Sequence, residues 1–459
     1  MVDISSIDVV LLAPSEDSVV GAVQGAARDF DYSFRHLSTL DELLENGLDA
    51  STIVITDFGG KQDISVYELV QLARQNSPQA FLFLLVEKEV TGDCLEKLEK
   101  LGVKAVFLKS EAASGKLAFA LSQVLKANYV PMKGIDLIPE TELPFAVYHL
   151  MPQRQKFLML VRKGATLSKE RVARLIERNE FYVHRNEFAD YRTYVEATSD
   201  RSAKGLAKRC RVNFLALQTE FTNLVFEVTN RVNRGSFAEG QELLARCQKL
   251  CEDLLANLAE FPKAWEVINS SSIGDFGSLE RSPAIAAYAG MFVLRGVEQR
   301  GLNGLSDLML LSLLIDISLL DLDYTLIKKR REQPENLTSE EHKLLAGVPA
   351  RSLERLLQKK LAIPERLRSI MMGVYENADG SGYPNGHNEN KIPFESQVIR
   401  LAKEFDHRGM LKLGQAKPEP KHVLGDILRE SECEARRIFS PQVCTVIRDR
   451  VLVDEDFAA

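Results

Sequence analysis

Along residues 7–128 short apolar runs alternate with stretches of helical periodicity. "IDVVLLAP", "STIVITDF", "AFLFLLVE" and "KAVFLK" read as strands; "SVVGAVQGAARDF", "VYELVQLARQNS", "CLEKLEKLG" and "GKLAFALSQVLKANY" read as the helices that follow them. Strands that are apolar on both faces and separated by helices predict a parallel sheet covered on both sides, an α/β doubly wound domain over residues 1–130. "VPMKGIDLIPETELP" at 130–144 is marked by Pro and Gly and reads as a linker. Residues 138–200 read as a small α+β module, with two strands in "FAVYHLMPQRQKFLMLVRKG", a helix in "SKERVARLIERN" and a strand in "EFYVHR". From 201 the period is helical: a helical linker over 201–265, then an all-α bundle over 266–459. Leu243, Leu244, Cys247, Leu250, Cys251, Leu254, Leu255 and Leu258 form a broad stripe at three- and four-residue spacing. Such a stripe fits a homodimer interface and packing within one chain equally well.

Composition narrows the classes. A chain of 459 residues suggests two to four domains, and a formal net charge of -7 argues against DNA as a partner. No run of about 18 apolar residues predicts a membrane span, and "MVDISSIDVVLLAPSED" lacks a basic leader. The six cysteines are scattered. Cys247 and Cys251 stand one helical turn apart but no partner histidines follow, so they read as small buried residues in a reduced, cytoplasmic protein.

Ligands of parallel sheets bind beyond the carboxyl ends of the strands. There stand Ala13-Pro14-Ser15, Thr56-Asp57 and Leu108-Lys109. This segment resembles the receiver domain of two-component response regulators. The resemblance implies a phosphoryl acceptor at Asp57 and a phosphate-pairing lysine at Lys109. Pro14 and Ser15 stand at or beside the family's acidic pair, with Glu16 and Asp17 following, so the magnesium site it implies is incomplete.

Three later stretches carry a second resemblance: "LLSLLIDISLLDLD" (310–323), "ENLTSEEHKLLAGVP" (335–349) and "VYENADGSGYPNGHNENKIPFESQVIRLAKEFD" (374–406). In order and spacing they resemble the HD-GYP family of cyclic di-GMP phosphodiesterases over roughly residues 270–455. The glycine loop is intact as Asp379, Gly380, Ser381, Gly382, Tyr383 and Pro384. The resemblance implies a helical bundle around a cluster of iron or manganese ions held by histidines and carboxylates. On this chain the family's His-Asp pair falls on Ile315-Asp316 and its following Gly-Lys on Ser318-Leu319. The next histidine falls near Val348, the paired histidines on Val374-Tyr375, and the aspartate after the loop on Lys403. Of the metal ligands only Asp316 remains, so the expectation is no catalytic residue, no metal and no cofactor.

Lys403 puts an ammonium where a carboxylate binds metal in the family. It is expected to meet Asp316 and neutralise it. His149 and His184 read as structural, and His342, His387 and His407 as solvated. The implied function is a non-catalytic signalling protein, a pseudo-phosphodiesterase acting through contacts with signalling proteins such as those of GGDEF type; in the family the loop at Tyr383-Pro384 lies beside the substrate pocket and is linked to GGDEF-domain contacts, and both roles stay open here. A receptor that binds cyclic di-GMP without hydrolysis is the alternative, with Lys328, Lys329, Arg330, Arg331, Arg351 and Arg400 as candidate contacts; an active metal-dependent phosphodiesterase is the third.

Overall fold

The structure, a computed structural model, describes residues 8–14, 18–30, 32–39, 41–42, 52–56, 65–78, 80–88, 90, 92–151, 156–178, 181–229, 238–260, 267–268, 279–296, 302–409, 419–432 and 437–452. The chain forms two compact units, one built mainly from residues 1–198 and the other mainly from the helical remainder.

The first unit opens with five parallel strands: β1 (Asp8–Leu12), β2 (Ser33–Leu37), β3 (Thr52–Thr56), β4 (Phe81–Val86) and β5 (Val103–Leu108), in the order β2-β1-β3-β4-β5. That is the flavodoxin-like doubly wound order. The central strands are apolar throughout because both faces are covered. Val10, Leu12, Ile53, Ile55, Leu82 and Leu84 share one buried cluster with Leu69, Val70 and Ala73 of the helix Val66–Asn76. A reciprocal capping box fixes the start of that helix: the Ser65 side chain accepts from Glu68 N, and Ser65 N donates to Glu68 Oε2. The hydrophobic pattern did not predict β2. "SFRHL" is an edge strand, mostly exposed or half-buried, and its Arg35 pairs with Asp8 of β1.

A second sheet follows in the same unit: β6 (Tyr129–Met132), β7 (Val147–Met151), β8 (Lys156–Val161) and β9 (Phe181–His184), antiparallel in the order β6-β9-β7-β8. The linker expected over 130–144 therefore begins as a strand: "YVPM" pairs along its length with β9. Its Pro131 is tolerated because β6 is an edge. His184 accepts from Asn186 N and His149 packs near Phe181, both structural roles. Phe145 and Tyr191 meet edge to face, with ring centroids 5.3 Å apart. The Tyr191 hydroxyl donates to the fully buried Asp136 carboxylate at 2.7 Å, and Lys133 N donates to the same oxygen at 3.2 Å.

The second unit is helical. The apolar stripe from Leu243 to Leu258, on the helix Ala238–Glu260, is buried throughout against the helices Ser282–Gly296 and Leu302–Leu314. It is therefore filled within the chain and not left open for a second copy. Ala284, Ala286, Ala287, Ala289 and Gly290 let the last two helices approach closely; a Cβ on Gly290 would lie 2.8 Å from Met309 Sδ. Among the described residues no helix is long and apolar enough to cross a membrane.

Replacing Tyr191 by Phe leaves the Asp136 carboxylate buried with one fewer donor. The Tyr191→Phe variant is expected to lose about 1–3 kcal/mol of stability, read by urea unfolding followed through far-UV circular dichroism.

Candidate functional site

Helix packing delivers the site residues from three places. The apolar helix Leu302–Leu314 runs directly into Ile315 and Asp316, and a 3-10 turn begins there, with Leu319 N donating to Asp316 O at 2.9 Å. The turn is held from outside, because Ser318 N donates to Ser352 Oγ at 2.9 Å. Val374 and Tyr375 follow the helix Glu365–Met372. Lys403 lies on the helix Phe394–Gly409, three residues beyond Arg400, which is itself four residues before Glu404.

These parts converge on Asp316. Its carboxylate has no solvent exposure, and Lys403 Nζ lies 2.7 Å from Oδ1 and 2.6 Å from Oδ2. This is the ion pair the sequence analysis expects. Lys403 Nζ also donates to the Tyr375 hydroxyl at 2.7 Å, and Arg330 Nη2 donates to the same hydroxyl at 3.2 Å. Arg400 lies over the Tyr375 ring, its guanidinium carbon 4.8 Å from the centroid, and Lys403 Nζ lies 4.9 Å from that centroid. Glu404 pairs with Arg400 at 3.1 Å. Burial pushes the Asp316 carboxyl up, but Lys403, Arg330 and Arg400 together outweigh it and hold the group below the ordinary aspartate value.

Ile315, beside Asp316 in the chain, Val374, beside Tyr375, and Val348 are all buried and apolar. They offer no donor atom to a metal. Both oxygens of Asp316 face an ammonium, and the Tyr375 hydroxyl accepts from two cations. Among the described residues no group of three or more His, Cys, Asp and Glu side chains is placed to hold a metal ion. The residues present do not fit the metal cluster that the resemblance implies, and an ammonium repels a cation at that position.

One helical turn beyond Lys403 the signs reverse. Asp406 accepts from Arg281 Nε and Nη2 at 2.6–3.0 Å in a buried bidentate pair. One helix therefore carries a buried cation and a buried anion, each matched by another segment. His342 and His407 are exposed and His387 is half-buried.

The glycine loop is docked on the same backbone. Tyr383 N donates to Tyr375 O at 2.9 Å. The buried Glu376 carboxylate accepts from Asn385 N at 2.7 Å and from His387 N at 2.9 Å, clamping the far side of the loop. Asp379 accepts from Ser381, and its own N–H donates to Arg437 O. Gly380 and Gly386 have positive φ, and a Cβ on Gly382 would lie 2.2 Å from Asn377 N. These glycines are required for shape. Tyr383, at 40% exposure, and Pro384 stand out from the loop. The Glu376 clamp was not anticipated; the signal available was a lone carboxylate immediately before the loop.

The cation run "KKRRE" is not the uniformly solvated face that such runs usually form. Lys329 pairs with Glu341 and Arg331 with Glu332, but Arg330 turns to Tyr375. In the first unit Lys109 pairs with Glu87 at 3.4 Å. Asp57, Ser15, Glu16 and Asp17 lie outside the described residues.

Residues 251–423 match the HD domain family. This region is an HD domain. A stretch of 111 residues is 28% identical to a cyclic di-GMP phosphodiesterase of Thermotoga maritima, covering 24% of this chain and 29% of that protein. Another, of 85 residues, is 32% identical to a probable cyclic di-GMP phosphodiesterase of Vibrio cholerae, covering 18% of this chain and 19% of that protein. The chain thus spans less than a third of the length of either curated relative. An HD-GYP-type protein of Bdellovibrio bacteriovorus superposes with a TM-score of 0.46 at 15% identity, over 70% of this chain and 99% of that one.

Removing the ammonium strands a buried carboxylate. Lys403→Met is expected to cost about 3–5 kcal/mol in urea unfolding, and Asp316→Leu combined with Lys403→Met to cost less than the sum of the two single changes. The Asp316 carboxyl is held below its unfolded value, so its contribution is present above about pH 3.9 and is lost as pH falls through the folded value. Acid titration of unfolding free energy is expected to show a steeper loss below about pH 4 in the wild type than in Asp316→Asn.

Proposed function

We propose that the HD domain of this protein is a non-catalytic signalling module, a pseudo-phosphodiesterase that works by binding and not by metal-dependent hydrolysis. The observation that carries this reading is Lys403 Nζ within 2.7 Å of both oxygens of Asp316. An ammonium satisfies the carboxylate that would otherwise ligate a metal, and the apolar Ile315, Val348 and Val374 supply no replacement ligands. Hydrolysis in the related family needs a metal-bound nucleophile, and these residues give it no seat.

The two relatives named as cyclic di-GMP phosphodiesterases support a place for the chain in that signalling chemistry. The rest of the protein fits such a role. The first sheet has the strand order of a receiver domain, so residues 1–130 are proposed as receiver-like, with 138–200 a small α+β module, 201–265 a helical linker and 266–459 the degenerate HD-GYP domain. The proposed contact surface for a signalling partner of GGDEF type is the Tyr383-Pro384 tip. Its aromatic ring is partly exposed, and the loop beneath it is clamped by Glu376, so little conformational freedom is lost on docking. A second reading, a receptor that binds cyclic di-GMP without hydrolysis, is supported by Arg330 and Arg400 beside Tyr375.

Full-length protein purified and then supplied with iron(II) or manganese(II) is expected to retain no stoichiometric metal at the HD domain by mass spectrometry, and to release no linear dinucleotide from cyclic di-GMP. Turnover that depends on added metal and disappears in Asp316→Ala would overturn the reading.

A further inference from the structure

We infer that the segment Leu320–Thr325 is a strap through which the first unit holds the turn that carries Asp316. Such coupling goes beyond the non-catalytic reading and is independent of whether the HD domain hydrolyses a ligand.

Asp316 opens the 3-10 turn Ile317–Asp321. Along this turn the chain changes unit: Leu320–Thr325 packs with the first unit, although the residues on either side belong to the second. Two backbone hydrogen bonds hold the segment there. Gly115 N donates to Leu322 O and Tyr324 N to Ala113 O, both at 2.9 Å, around an antiparallel bridge between Ser114 and Asp323. The Tyr324 ring adds a contact with Phe30, with centroids 6.5 Å apart.

This bridge sets two helix starts at once. Ser114 Oγ accepts from Lys116 N at 3.3 Å at the head of the helix Gly115–Asn128. Asp323 Oδ1 accepts from Thr325 N at 2.8 Å at the head of the helix Tyr324–Glu332. Both side chains act as caps. The first N–H groups of a helix have no partner within it. Those of Gly115 and Tyr324 are satisfied by the opposite segment, so pulling the two segments apart strands a donor on each helix.

The charges point the same way. Lys116 stands in the first turn of its helix, where the macrodipole disfavours a cation, yet its side chain is only 2% exposed. Its Nζ lies 2.8 Å from Glu111 Oε1 and 3.1 Å from Asp321 Oδ1. A buried cation at an unfavourable helix end is held by the carboxylates that meet it. Asp321 is the last residue of the turn that begins at Asp316. Glu111 closes the 3-10 turn Lys109–Glu111 at the carboxyl end of β5, on the side of a parallel sheet where ligands bind. Lys116 therefore joins that side of the sheet to the Asp316 turn.

The connection has no slack. From Ile315 to Gln333 the chain contains neither glycine nor proline, and it is 3-10 before the bridge and α-helical after it. Five residues of 3-10 helix span only about 10 Å. A displacement of the strap meets no hinge and passes to Ser318 and Leu319, whose amides are bonded to Ser352 Oγ and Asp316 O.

The test is hydrogen exchange on the 459-residue chain, resolved to the amides of Gly115 and Tyr324 in the strap and of Ser318 and Leu319 in the turn. Lys116→Met removes the shared cation. Asp321→Asn removes one carboxylate at nearly constant size and serves if the first variant does not fold. Tyr191→Phe, in the second sheet of the first unit, controls for loss of stability away from the strap. The expected result is exchange faster by about tenfold or more at all four amides in either strap variant. The helix Ala238–Glu260 keeps its wild-type rates in those variants, and the control leaves Ser318 and Leu319 unchanged. Acceleration confined to Gly115 and Tyr324 makes the strap a local contact and overturns the coupling. So does no acceleration, or equal acceleration across the helix Ala238–Glu260, or a control that loosens Ser318 and Leu319 as much. None of these results bears on metal binding or turnover, so the non-catalytic reading stands or falls separately.

Discussion

A carboxylate with no solvent exposure must be protonated, hydrogen-bonded, ion-paired or bound to a metal, because an isolated ion in an apolar shell is too costly to fold around. Asp316 is such a group, and the arrangement of this HD domain depends on how it is satisfied. It lies just beyond the end of an apolar helix, next to the buried Ile315. Lys403 reaches it from another helix and covers both oxygens. The pair then fixes its surroundings. Tyr375 accepts from the same ammonium, Arg330 accompanies it, and the backbone of Tyr375 anchors the glycine loop. A cross-link that joins three segments is made here by one side chain.

The proposed correspondence with the HD-GYP metal ligands gives each residue a consistent place. Under it, Ile315, Val348 and Val374 stand as buried apolar side chains where the family has histidines, Lys403 stands where it has a carboxylate, and Tyr375, at another histidine position, accepts hydrogen bonds from Lys403 and Arg330. The loop, by contrast, keeps its glycines, its Asp379 turn and its Glu376 clamp. On the proposed reading, such a retained rim over a floor without metal ligands suits a module that presents a surface.

Much of this was legible in the sequence. The central strands of the first sheet are continuous apolar runs, since each is buried on both faces, and such runs announce themselves. The glycine loop was legible through its resemblance to the HD-GYP family, and the meeting of Asp316 with Lys403 through the positions that resemblance implies together with the cost of an unpaired buried charge. What escaped was written in weaker code. "SFRHL" is an edge strand with little apolar content, and "YVPM" contains a proline and resembles a linker; both are defined by the partner strand they join. The stripe from Leu243 to Leu258 shows that a helix is buried but not against what, and the small residues of the helix Ser282–Gly296 supply that answer only in three dimensions. Arg330 was one of four consecutive cations with nothing local to distinguish it; its turn toward Tyr375 is a tertiary event.

The central claim is that the Lys403 ammonium holds the place of a metal. A crystal soaked in manganese(II), with anomalous differences collected at the metal's absorption edge, addresses it at atomic level. The account predicts no anomalous peak at the Asp316 carboxylate and continuous density for Lys403 within hydrogen-bonding distance of both its oxygens. A manganese peak bound to Asp316, with Lys403 displaced, would contradict it.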